Sequence, residues 1–231
     1  MKIKNIGIIK IAALVVAFGF SASASAALIT NGFTFAVASS GGDQSVGTHF
    51  HSNTGGAYGN PAGKAEVGRY SSEEVRGLSE YNLTGQTSAT SAFVTFDVFK
   101  AGGLFSGAND TPFTGTIAVE AYAGNNLENI SDYQAASIGS VGSFLTTGLL
   151  VGNVLSFDIT SIFNTAIAAS DTSLGIRLRA IPLNPNSQAW TFDSFRLTTD
   201  NQSTLPEPAS LALFSIGLAG WGATRRRKLA A

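Results

Sequence analysis

Ser91-Ala-Phe-Val-Thr-Phe-Asp-Val-Phe99 decides the fold. Ala92, Val94, Phe96 and Val98 share one parity, while Thr95 and Asp97 share the other. A two-residue period of this kind marks a β-strand with one face in a core. Phe93 and Phe99 on the second parity make that face only partly wet. The pattern recurs outward in both directions. Residues 116–122 set Ile117, Val119 and Ala121 inward with Glu120 outward, and residues 175–181 set Ile176, Leu178 and Ala180 inward with Arg177 and Arg179 outward. Residues 189–198 begin with Trp190 and Phe192 on one parity and end with Phe195 and Leu197 on the other. Such a switch predicts a β-bulge near Asp193 or Ser194.

Further strands are expected at 28–37, in one or two pieces over 67–83, at 137–145 and at 154–159. Residues 160–169 read as the single body helix, capped by Thr160 or Ser161, with Ile162, Phe163 and Ala166 on one side. Residues 38–63 are rich in glycine and poor in apolar side chains, so they read as a long loop. About eight short strands with turn signals between them give an all-β fold: one jelly-roll-like β-sandwich with one short helix.

The two ends of the 231-residue chain have a different character. Lys2, Lys4 and Lys10 precede an apolar run, 11–20, that is too short for a membrane span of roughly 20 residues. Ala24-Ser25-Ala26 then offers the small-x-small pattern read by signal peptidase. Residues 1–26 are therefore expected to be a signal peptide cut after Ala26, which implies the Sec machinery and signal peptidase as partners. At the other end, Pro206-Glu207-Pro208 opens an uncharged stretch that runs to Thr224, followed by Arg225, Arg226, Arg227 and Lys228. This arrangement is a short transmembrane helix stopped by cations, which stay in the cytoplasm.

Removing both ends leaves residues 27–204, enough for one domain with a real core. That body keeps seven cations against fourteen acids, a net charge near −7. The balance argues against nucleic acid as a partner. The chain has no cysteine, so its stability rests on packing even in an oxidising compartment.

The tail resembles the PEP-CTERM family of sorting segments: Pro206-Glu207-Pro208, a short hydrophobic helix and an Arg-rich end, in that order, over residues 205–231. The resemblance implies handling by an exosortase in a bacterium that makes extracellular polysaccharide, with Pro206, Glu207 and Pro208 as substrate residues. The protein is then exported, transiently anchored with its C-terminus in the cytoplasm, and delivered to the cell surface or matrix. A second resemblance covers about half of the body. Leu155-Ser-Phe-Asp-Ile-Thr-Ser-Ile-Phe-Asn164 with Gly175-Ile-Arg-Leu-Arg-Ala180 looks like a passage of DNRLRE-type carbohydrate-binding-like sandwiches, although the namesake run is missing.

No catalytic constellation stands out. His49 and His51 are the only histidines and are spaced to share a face, where they offer a metal two ligands, with Asp43 as a third. Glu73 and Glu74 are adjacent, so on a strand they point to opposite faces and cannot flank one glycosidic bond. Asp158 and Asp193 stand in apolar strand segments, where a buried carboxylate needs a cation, water or donors. They are the candidates for a structural Ca2+ site, with capping of the helix at Thr160 as the alternative for Asp158. Trp190 and Tyr122 lead the candidates for sugar stacking, with Tyr70, Tyr81 and Tyr133 behind them. Taken together, these features predict a non-catalytic structural or glycan-binding component of the exopolysaccharide (biofilm) layer, needing no cofactor. An exported glycan-active hydrolase or lyase on the same scaffold is the alternative.

Overall fold

The computed structural model describes residues 27–29, 33–51 and 63–200; the expected signal segment with Ala24 and Ala26, and the sorting tail, lie outside the described residues. In chain order the elements are β1 (Ala27–Ile29), β2 (Phe33–Ser40), β3 (Asp43–Phe50), β4 (Ala65–Tyr70), β5 (Glu73–Asn82) and β6 (Ala92–Lys100). They continue with β7 (Thr116–Ala123), a 3-10 turn (Ile130–Tyr133), β8 (Ser137–Leu145), β9 (Val154–Asp158), α1 (Thr160–Ala169), β10 (Ser173–Ile181) and β11 (Ala189–Thr199). The fold is all-β. Among the described residues, no helix is long and apolar enough to cross a membrane.

Every pairing is antiparallel, and the main ladder runs β8-β7-β10-β5-β4-β11-β6-β9. The ladder changes layer within β5. Residues Glu73 to Val75 pair with β4, while residues 77–82 pair with β10 along the same edge. The opposite edge of β5 pairs with β2 over residues 75–80. β5 therefore belongs to both halves of the ladder, and these halves face each other across the main core. Ile117, Val119, Leu174, Ile176 and Leu178 from one half meet Val94, Phe96, Val98, Phe192 and Leu197 from the other.

β6 lies where its alternation demands. Ala92, Val94, Phe96 and Val98 are buried, while Phe93 and Phe99 are 38% and 37% exposed. Phe96 is the hub of an aromatic cluster. Its ring stacks on Phe195 at 4.7 Å and Phe157 at 5.8 Å, and meets Phe192 edge-on at 5.6 Å. Phe195 reaches that cluster because the ladder of β11 with β6 shifts register between Asp193 and Arg196, with Ser194 at a φ of 54°. The parity switch in the sequence is the trace of this bulge.

Four expectations need correction. The strands number eleven among the described residues, because β1 and β2 divide the first expected strand and 67–83 holds most of β4 and β5. The stretch 38–63 is not all loop: it contains β3, an edge strand that β2 templates. An edge strand leaves most of its side chains in water, so it needs few apolar ones, and composition alone hides it. Arg177 does not point to solvent, because the chain around the 3-10 turn covers that face and leaves it 4% exposed. Finally, Ile159 precedes α1 without a side-chain cap, and Thr160 is its first residue rather than its cap.

Phe96→Ala empties the centre of the aromatic cluster and is expected to destabilise the fold by about 3–5 kcal/mol. Phe93→Ala, on the wet face of the same strand, is expected to cost under about 1 kcal/mol. Urea unfolding of the two variants against the parent protein measures both values.

Candidate functional site

The residues singled out from sequence scatter through the fold. Asp158 is exposed, and its Oδ1 accepts hydrogen bonds from Thr160 Oγ1 at 2.6 Å and Thr160 N at 2.8 Å. These bonds hold its carboxyl below the usual range. It supplies the acceptor at the start of α1, in line with the capping alternative. Asp193 sits at the bulge and accepts a hydrogen bond from Lys64 Nζ. The same ammonium lies 3.6 Å from the centre of the Phe99 ring. A lysine thus meets the carboxylate for which calcium was one candidate partner. Among the described residues, no three His, Cys, Asp or Glu side chains gather as a metal site.

The two leading rings for sugar stacking are both covered. Trp190 is 4% exposed and donates from Nε1 to Phe113 O at 2.9 Å. Tyr122 is fully buried, lying over Gly175 of the neighbouring strand, where any Cβ would strike its ring. Tyr81 and Tyr133 are buried as well. Of the candidates, Tyr70 alone is half-exposed.

Tyr70 opens onto a concavity where two histidines, a glutamate and aromatic rings converge. A pocket of about 260 Å³ is lined by His49, Phe50, His51, Tyr70, Glu73 and Phe105. The β4–β5 hairpin delivers Glu66, Tyr70 and Glu73, β3 delivers His49 and Phe50, and Phe105 comes from the connection after β6. The rings of His51, Tyr70 and Phe105 pack mutually, with centroids 5.3, 4.4 and 4.9 Å apart. Behind them, Glu66 is fully buried. It accepts from Asn109 Nδ2, from Leu104 N at 3.3 Å, and contacts His51 Nδ1 at 3.0 Å. In front, His49 Nε2 stands 3.5 Å from Glu73 Oε2, both partly exposed.

Glu73 and Glu74 do separate, as strand geometry requires. Glu73 faces His49, whereas Glu74 receives both Arg76 Nε and Nη2 at 2.9 Å and Tyr133 Oη at 2.8 Å. That second set belongs to a buried polar layer on the outer face of β5, β10 and β7. Arg177 continues the layer, donating to Ala135 O at 2.8 Å and Glu120 Oε2 at 2.8 Å. Glu80 Oε2 accepts from Asn126 N at 2.8 Å, Ser173 Oγ at 2.9 Å and Asn125 N at 3.0 Å. Its negative charge also bears on Asp132 and Tyr122. Burial, reinforced by the negative charge of Glu80, pushes Asp132 up to about 7. Sequence parity could not find this layer, because polar residues on a covered outer face look like polar residues in water.

Because folding favours the protonated form of Asp132, its contribution to stability is present below pH 3.8 and is lost as pH climbs towards about 7. Asp132→Asn keeps a neutral side chain there. Thermal unfolding should show the variant gaining on the parent by on the order of 2 kcal/mol at pH 8, and little difference near pH 4.

No curated protein matches the chain. One family model does match: residues 204–228 fit the PEP-CTERM protein-sorting motif, which includes Pro206, Glu207 and Pro208 and the cations Arg225 to Lys228. The chain therefore carries the sorting motif of a secreted, membrane-passing protein that an exosortase processes.

Proposed function

We propose that the protein is a non-catalytic component of the polysaccharide layer outside the cell, exported, sorted by its tail and binding glycan through its body. The sorting motif at 204–228 carries the reading, since it directs the body to a compartment where polysaccharide is the abundant partner. Two further features support it. The order of the ladder half β4-β11-β6-β9 facing β5-β10-β7-β8, with β2 and β3 added at one edge, supports a jelly-roll reading. Jelly rolls recur among lectin domains, and the body's likeness to DNRLRE-type sandwiches points the same way. The pocket at Tyr70 also has the needed chemistry: aromatic faces for the apolar side of a pyranose, beside a carboxylate and an imidazole for its hydroxyls. It is small, and suits one sugar unit of a chain rather than a large ligand.

The layout of the ends agrees with a body presented on a stalk. Ala27 pairs with Thr199, so the start of β1 lies beside the end of β11, seven residues before Pro206. Ala27 and Thr199 thus lie side by side, while β3 and the pocket lie along another edge. The alternative of a glycan-active enzyme draws no comparable support. The carboxyls of Glu80 and Asp132, which interact electrostatically, are both buried at the covering turn, where no glycosidic bond can reach them.

Calorimetric titration with exopolysaccharide from the host is expected to show binding by the parent protein. Tyr70→Ala should weaken it about ten-fold, ~1.4 kcal/mol, with Trp190 and Tyr122 irrelevant to the contact. No heat with any polysaccharide would leave the body a structural role only. The intact mass of protein from the cell surface is expected to lack both residues 1–26 and the segment beyond the Pro206-Glu207-Pro208 motif.

A further inference from the structure

The far end of the ladder from the pocket has an unusual composition. Among the described residues β8 pairs only with β7, and β9 only with β6, so both are edge strands. From Gln134 to Phe157 the chain carries no Asp, Glu, Lys, Arg, His or Pro. Proteins ordinarily blunt an exposed edge with charge, proline or a cover, because unpaired backbone groups template another strand. The opposite edge is protected in this way. β3 carries Asp43 and His49, and its Gly47 N is taken by Gln134 Oε1. β8 has no such guard. Ile138, Leu145, Leu150, Val151 and Val154 are 46%, 65%, 67%, 62% and 60% exposed, and together they are half of the large apolar side chains that stand exposed among the described residues.

We propose that β8 is a self-association edge, along which two copies of this chain pair antiparallel to join their sheets. Two observations select a second copy as the occupant. The body carries seven cations against fourteen acids, so copies that approach elsewhere repel, whereas the strip from 134 to 157 brings no charge to the contact. The strand is also self-complementary. Its ladder with β7 shifts register twice, between residues 140 and 142 and again between 137 and 139, and along it Ile138, Ser140, Ser143 and Leu145 all stand exposed while Val141 and Phe144 pack inward. A two-fold axis between Val141 and Gly142 then sets Ile138 opposite Leu145 and Ser140 opposite Ser143. Apolar meets apolar and hydroxyl meets hydroxyl, the pairings that stabilise a cross-strand seam. Such a contact is isologous, closes as a dimer, and leaves β3 and the Tyr70 pocket free at the two outer ends.

The chain has no cysteine, so introduced thiols report unambiguously. The full chain carrying Ser140→Cys with Ser143→Cys, exported by its host and oxidised in place, should give a band of twice the monomer mass that reductant collapses. Ser45→Cys with Thr48→Cys on β3 should give none. In sedimentation the parent protein should shift from monomer to dimer as concentration rises. Ser140→Lys with Ser143→Lys, both at exposed positions, should remain monomeric with an unchanged circular dichroism spectrum. A parent protein that stays monomeric throughout, a folded double-cysteine variant that fails to cross-link, or a cross-link to a different protein would overturn the proposal. Glycan titration of the double-lysine variant reads the pocket separately, so failure at one site is not mistaken for failure at the other.

Discussion

The architecture depends on β5 being paired along both edges and covered on both faces. One face of it joins the main core through Tyr81, and the other carries Glu74, Arg76, Leu78 and Glu80, all nearly or wholly removed from water. Three charges so placed are untenable unless each finds partners. The β2–β3 hairpin and the 3-10 turn Ile130–Tyr133 supply them. Arg76 lies over the Tyr133 ring at 3.8 Å and donates to Tyr133 O at 2.7 Å, while Glu80 gathers two backbone N–H groups from Asn125 and Asn126. The covering segment is thus fastened to the sheet by polar groups as much as by the small apolar cluster of Phe35, Val37, Leu78, Tyr122 and Tyr133.

The same arrangement positions the pocket. β4 and β5 form a tight hairpin, with Ser71 at a φ of 53° in its turn, so Tyr70 and Glu73 emerge side by side at its tip. β3, held over the sheet by its ladder with β2 and by Gln134, brings His49 and His51 to that tip. Glu66 then fixes the His51 ring from behind. Stability and site geometry share one support, and the cover that satisfies the buried charges also builds one wall of the concavity.

Much of the core is legible in the residue pattern alone. The alternation in β6, β7 and β10 marks the core face residue by residue, the parity switch in β11 locates its bulge, and the helix at 160–169 lies where its pattern puts it. What escapes is whatever depends on a third layer. Arg177 looks like an outward residue because it alternates with Ile176 and Leu178, yet a segment distant in sequence covers it. Trp190 and Tyr122 look like platforms for sugar until burial is known, whereas Tyr70 lines a pocket beside Phe105 and His51, which sequence does not place next to it.

The sequence by itself determined the all-β class, the parity of the core strands, the charge of the body and its destination, because each is written in local period or in linear motifs such as Pro206-Glu207-Pro208. Only the tertiary structure decided which polar residues are buried, which aromatic rings meet a pocket, and which strand is left at an edge with no partner among the described residues. Those properties belong to contacts between distant segments, and a two-residue period records which face a side chain takes but not what lies against that face.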